Sequence, residues 1–133
     1  MSSFQAVFYR DGSGCEPVRD FLESLDEDAQ AAIEHQIGRL NLLNDRTPHL
    51  PFPHSSQVEG ELRELRCHYG RDLYRILYRR SERLVVLLHF FAKRSAKIDQ
   101  RDIRTAQEQW EDFKARMEAQ PRTPPRAAGH DAP

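Results

Sequence analysis

The sequence has few cysteines and no long apolar run. These two features exclude several classes of protein. Its two cysteines, Cys15 and Cys67, are too few for a disulfide framework and show no zinc-binding pattern. The longest apolar stretch lies within residues 84–92, is interrupted by His89, and is far shorter than a membrane span. No basic-then-apolar leader precedes Phe4, so no secretory signal is predicted. We therefore expect a cytoplasmic protein with no membrane partner.

The composition is that of one soluble domain in which acidic and basic residues are concentrated in different segments. A chain of 133 residues with 38% hydrophobic and 31% charged side chains suits a single modest core. The formal net charge is only −1, yet residues 11–45 carry −7 and residues 61–104 carry +6. A basic segment of this kind predicts a polyanionic partner, because a cationic surface concentrates anions near itself.

Hydrophobic periodicity predicts the element order β-α-α-β-β-β-α. Residues 4–10 alternate as a strand, and two amphipathic helices follow, the first beginning at Pro17. Three prolines within residues 47–56 predict a loop. Three apolar-rich runs within residues 61–97 then predict an antiparallel meander whose last strand is buried on both faces. Asp99 is placed to cap a final amphipathic helix.

The predicted fold class is therefore α+β. We expect a small antiparallel sheet with a helical hairpin on one face and a C-terminal helix. One domain is predicted over residues 1–118. Residues 119–133 are rich in proline and alanine and lack large apolar side chains, so we predict that this tail is disordered.

Four segments follow one another along the chain: ELR (64–66), YRILY (74–78), LLHFFAKRSAK (87–97), and the following helix with Ile103 and Ala106. In this order they resemble the RelE/HigB toxin superfamily, and most of all its phage-derived HigB-like branch. The resemblance covers residues 4 to about 117 and implies a RelE-like fold. It also implies the toxin of a type II toxin–antitoxin system. Such a toxin is a metal-independent endoribonuclease that cleaves ribosome-bound mRNA through 2′-hydroxyl attack on the scissile phosphate.

The resemblance implies the partners as well. They are a cognate antitoxin, mRNA and the ribosome, with operator DNA bound only through the antitoxin, which in such systems often carries a helix-turn-helix. It implies no cofactor. The histidines of the chain show no spacing typical of metal ligands, so no metal site is predicted.

Cleavage of this kind needs positive charge at the pentacoordinate phosphate and groups that move protons. Arg75 matches the arginine of the YR-apolar-apolar-Y strand and is the first candidate for phosphate binding, with Arg66 of ELR as the second. His68 and His89 are the candidates for proton transfer. Structural alternatives remain open: an ion pair with Glu64 for Arg75, a solvated position for Arg66, and a buried hydrogen-bonded role for His89.

Lys93 and Arg94 match the basic pair that ends the last strand in the superfamily, and Lys97 and Phe91 are further candidates for RNA contact. Some members of the superfamily place a tyrosine near the last helix, whereas this chain has no tyrosine after Tyr78. The identity of the general acid and base is therefore left open. The alternative function is a non-catalytic module that binds RNA, the ribosome or the antitoxin through the same basic sheet.

Overall fold

The computed structural model describes residues 3–93, 97–119, 124–130 and 132. Its strands are β1 (Gln5–Phe8), β2 (Ser55–Glu59), β3 (Leu62–Tyr69), β4 (Asp72–Ser81), β5 (Leu84–Ala92) and β6 (Arg126–Ala127). Its helices are α1 (Pro17–Glu23), α2 (Glu27–Gly38) and α3 (Gln100–Glu118), with a short 3-10 helix (Arg39–Leu42) directly after α2. Within the described part of the chain, no helix is both long and apolar enough to cross a membrane.

The strands form one six-stranded sheet in the order β2-β3-β4-β5-β1-β6. The predicted antiparallel meander is present as β3, β4 and β5, and its two turns contain Gly70 and Glu82 with positive φ. β1, however, runs parallel to β5, so the prediction of a purely antiparallel sheet was wrong for this pair. Parallel neighbours need a long crossover connection, and the helical hairpin and the meander between the two strands supply it.

Helices cover both faces of the sheet, and each face has its own cluster of buried apolar side chains. On the face covered by the α1–α2 hairpin, the helices and the meander bury Val18, Leu22, Ile33, Ile37, Leu65, Ile76 and Leu87. On the opposite face, α3 and the sheet bury Val7, Leu77, Val86, Leu88, Ile103, Ala106, Trp110 and Phe113. This arrangement explains why β5 is apolar on both sides, as the sequence indicated. Asp99 caps α3 as predicted, because its side chain accepts a hydrogen bond from the backbone N–H of Arg101.

Two strands lie where the sequence predicted none. The loop expected over residues 47–56 ends early, because Ser55 already begins β2 and its hydroxyl lies 2.6 Å from the hydroxyl of Tyr78. β6 lies within the tail that was expected to be disordered, and Ala128 beyond it is buried. A strand of only two residues joins the β1 edge by backbone hydrogen bonds, which composition does not reveal. The domain boundary at residue 118 stays a prediction.

A buried amide holds this C-terminal segment to the body of the protein. Asn41, in the 3-10 helix, accepts a hydrogen bond from the backbone N–H of Ala6 at 2.7 Å and donates one to the carbonyl of Ala128 at 3.0 Å. The backbone N–H of Ala128 in turn donates to the carbonyl of Ala6 at 2.8 Å. One side chain therefore joins β1, the end of the helical hairpin and the C-terminal segment.

We expect Asn41→Ala to lower the free energy of unfolding by about 1–3 kcal/mol, because it leaves the buried backbone N–H of Ala6 without this partner and removes one of two side-chain hydrogen bonds to the carbonyl of Ala128. Urea unfolding followed by circular dichroism measures this change. The control is Gln107→Ala, since Gln107 is an exposed amide that also makes a side-chain hydrogen bond. Its effect should stay within about 0.5 kcal/mol. Equal losses for the two variants would contradict the role given to Asn41.

Candidate functional site

The meander places both predicted arginines side by side at the centre of the sheet. Arg66 of β3 lies opposite Arg75 of β4, and Arg75 lies opposite Phe91 of β5. Residues opposite one another on neighbouring strands project from the same face of a sheet. We call Arg66, Arg75 and Phe91 the arginine row. Phe91 packs against the apolar cluster beneath α3, so the row lies on the face that α3 covers in part.

The neighbouring row on this face contains a carboxylate and a histidine. Here Glu64 lies opposite Leu77, and Leu77 lies opposite His89. The Nε2 atom of His89 is 2.7 Å from Oδ1 of Asp102 in the first turn of α3. The imidazole also stacks on the ring of Phe91, with 5.2 Å between the centroids. His89 therefore connects α3 to the arginine row.

A single buried carboxylate holds both arginines. Arg75 Nε lies 2.7 Å from Glu64 Oε1, in a geometry that makes an ion pair without an aligned hydrogen bond. The same oxygen is 3.3 Å from Nε of Arg66. Arg75 and Glu64 are 6% and 7% exposed, whereas the side chain of Arg66 is 33% exposed. The ion pair proposed as a structural alternative for Arg75 is thus present, and the row still has more positive than negative charge.

Lys93 adds a third cation next to this row. It directly follows β5, and its backbone N–H donates to the carbonyl of Leu73 at 2.8 Å. The pKa of Lys93 is lowered from its ordinary value, first by burial and then by the positive charge of Arg75, and Arg66 acts in the same direction. A lysine surrounded in this way is stabilised by an incoming anion, because the anion offsets the repulsion between the cations.

The remaining predicted residues are not part of the arginine row. His68 lies opposite Leu73 near the end of β3 and is exposed. His89 makes the hydrogen-bonded contact that was its structural alternative. Lys97 is exposed before α3, and Arg94 lies outside the described residues. The structure therefore brings Arg66, Arg75, Phe91 and Lys93 together, with His89 beside them.

A cavity of about 680 Å³ adjoins this site. Arg66, His68 and Arg75 help to line it, together with Cys67, whose pKa burial raises to about 12. The sequence analysis did not select four other lining residues, which are His35, Arg39, His54 and His130. The sequence contained one indication of Arg39, because it is one of only two Lys or Arg residues within the acidic segment 11–45. Among the described residues, no three His, Cys, Asp or Glu side chains are grouped to hold a metal ion.

The fold and the site define an α+β protein with a cationic site on its sheet, suited to an anionic ligand. The sequence profile of the family described as phage-derived protein Gp49-like (DUF891) matches residues 20–111. The match spans the chain from α1 into α3, so the protein belongs to this family of toxin–antitoxin toxins related to the RelE type. No curated protein matches the chain.

We expect Glu64→Gln to lower the free energy of unfolding by about 3–5 kcal/mol, because it leaves the buried guanidinium of Arg75 without a counter-charge. The matched control is Glu61→Gln, which removes the carboxylate of the exposed pair between Arg79 and Glu61. That variant should lose at most about 1 kcal/mol. Urea unfolding of both variants measures the difference. Similar losses would show that Glu64 does not hold the arginine row.

Proposed function

We propose that this chain is the toxin of a type II toxin–antitoxin system, of the HigB-like branch, and that it is a metal-independent endoribonuclease acting on ribosome-bound mRNA. The observation that carries the proposal is the arginine row with Lys93 beside it, in which three cations surround one carboxylate. Membership of a family of toxin–antitoxin toxins supports the same conclusion. The proposed partners are a cognate antitoxin, mRNA and the ribosome.

In the proposed reaction, the 2′-hydroxyl beside the scissile bond loses its proton to a base and attacks the adjacent phosphorus. The bond from phosphorus to the 5′-oxygen breaks, and that oxygen receives a proton from an acid. Arg66 and Arg75 stabilise the extra negative charge of the pentacoordinate phosphate, because the planar guanidinium matches two phosphate oxygens and stays charged. Phe91 offers an aromatic surface for a base next to the cut.

His89 is the better placed of the two histidines for proton transfer. Its contact with Asp102 orients the imidazole, and its stacking on Phe91 keeps it next to the arginine row. His68 lies at the exposed end of β3, where it reaches RNA only if the strand of nucleotides passes over that end. We therefore assign His89 as the main proton-transfer group and His68 as the second.

The alternative function is a non-catalytic module that binds RNA, the ribosome or the antitoxin. Two observations favour it: Arg75 already has Glu64 as a partner, and His89 already has Asp102. Each contact gives the residue a purely structural role. The two functions differ in one outcome, because only the nuclease produces new RNA ends.

We expect expression of the wild type without antitoxin to arrest bacterial growth and to create new 5′ ends within translated frames of mRNA. Arg66→Ala should lower cleavage by about 10²–10³-fold, because it removes one group that stabilises the transition state. Arg75→Lys should also lower it, since lysine keeps the charge beside Glu64 but loses the bidentate fork. Growth curves and mapping of 5′ ends measure these effects.

The control for both variants is Arg79→Ala, on the same strand as Arg75 but paired with Glu61 and stacked on Trp110. It should cleave as the wild type does. Unchanged cleavage by Arg66→Ala would refute the site assignment. Soluble, folded wild type that neither arrests growth nor creates new ends would support the binding module instead.

We also expect RNA affinity to fall as the pH rises through the lowered pKa of Lys93, because only the protonated ammonium attracts phosphate. Lys93→Arg should bind equally at neutral pH and lose this part of the pH dependence, since the guanidinium stays charged. Fluorescence anisotropy with a 2′-O-methylated RNA, which cannot be cleaved, measures affinity from about pH 7 to about pH 10. Identical pH profiles for the two proteins would remove Lys93 from the interface.

A further inference from the structure

Two of the large hydrophobic side chains that the described residues expose line one groove. Leu42 and Leu73 are 71% and 50% exposed, and both line the 680 Å³ cavity bounded by α2, the 3-10 helix, β3 and β4. Phe52, also 71% exposed, precedes a lining proline and its ring centre lies 4.7 Å from the guanidinium carbon of Arg66. Tyr69 follows the lining residue His68. We call this cavity the α2 groove.

The α2 groove is lined by basic groups, and Glu64 beside it partly neutralises Arg66 and Arg75. Its lining contains no Asp or Glu among the residues that the structure describes, and it contains His35, Arg39, His54, Arg66, His68, Arg75 and His130. This lining contrasts with the rest of the hairpin, because residues 11–45 carry a net charge of −7. The groove is thus an apolar surface within a basic rim, next to an acidic surface that repels anions elsewhere.

We propose that the α2 groove docks an acidic segment of the cognate antitoxin, whose apolar side chains pack on Leu42 and Leu73. The proposal rests on the toxin function proposed above. Exposed apolar side chains supply affinity when a partner buries them, and complementary charge supplies orientation and a fast encounter. RNA fits this surface less well, because bases stack on aromatic rings and the two exposed hydrophobic side chains that line the groove, Leu42 and Leu73, are aliphatic.

The position of the groove gives docking a direct consequence for activity. Arg66 and Arg75 belong both to the arginine row and to the lining of the groove. An acidic segment in the groove therefore lies against two residues that bind phosphate in the proposed reaction. Docking at Leu42 and Arg39, on the hairpin side, supplies affinity without any contact to the residues assigned to RNA cleavage.

The test uses the full-length protein and, as the probe, the purified product of the gene next to its own. We expect Leu42→Glu and Arg39→Glu each to weaken binding in calorimetry by about tenfold or more. Both variants should still cleave RNA, yet the probe should no longer neutralise them at concentrations that silence the wild type. The matched charge reversal is Arg101→Glu on α3, whose side chain is 82% exposed and does not line the groove. It should bind and be neutralised normally.

Each outcome decides the proposal. Unchanged affinity in Leu42→Glu and in Arg39→Glu overturns the groove while leaving the nuclease function intact. A wild type that binds the probe but never cleaves RNA, with binding weakened in both variants, upholds the groove and refutes the nuclease. Self-association in sedimentation velocity that Leu42→Glu abolishes, with unchanged probe binding, shows a contact between copies and overturns the proposal. Leu42→Ala, a milder change at a position that is 71% exposed, repeats the test if Leu42→Glu fails to fold.

Discussion

The need to cover β5 on both faces governs the arrangement of this molecule. Its residues from Val85 to Leu88 are fully buried, so the α1–α2 hairpin must cover one side and α3 the other. The first turn of α3 meets the sheet at His89, through Asp102. The arginine row is the next row of side chains on this face after the row of His89. It lies beyond the buried apolar residues of β5. The arginine row therefore lies just beyond the part of the sheet that the first turn of α3 contacts.

Glu64 makes such a cluster of cations compatible with a folded core. A buried ion pair adds little net stability, because removing two charges from water costs about as much as their attraction returns. Its value here lies in geometry, since one carboxylate aligns Arg66 and Arg75 while leaving them with a net positive charge. The pKa of Lys93 is lowered first by burial and then by the positive charge of Arg75, which shows that the cations remain only partly neutralised. The site is thus arranged in advance for an anion.

The parts of the fold that depend on local pattern could be predicted from the sequence, and those that depend on distant pairing could not. The meander and the stripe of α3 follow from periods of two and about 3.6 residues. The parallel pairing of β1 with β5 joins residues about 80 positions apart, and no local hydrophobic periodicity indicates it. β6 has only two residues, too few to show an alternating pattern. Likewise, alternation and family resemblance located Arg66 and Arg75, whereas Arg39 reaches the groove only because α2 packs beside β3.

Arg39 shows how one residue serves a local and a tertiary purpose. It occupies the C-cap of α2, where a positive charge is favourable beside the negative end of the helix dipole. The same position puts its guanidinium 3.2 Å from Nε2 of His54, at the rim of the α2 groove. The acidic hairpin thus ends in a cation at the point where it meets the basic sheet. An acidic segment repelled by the rest of the hairpin is consequently directed to this boundary, where Leu42 offers the apolar contact that long-range charge alone does not provide.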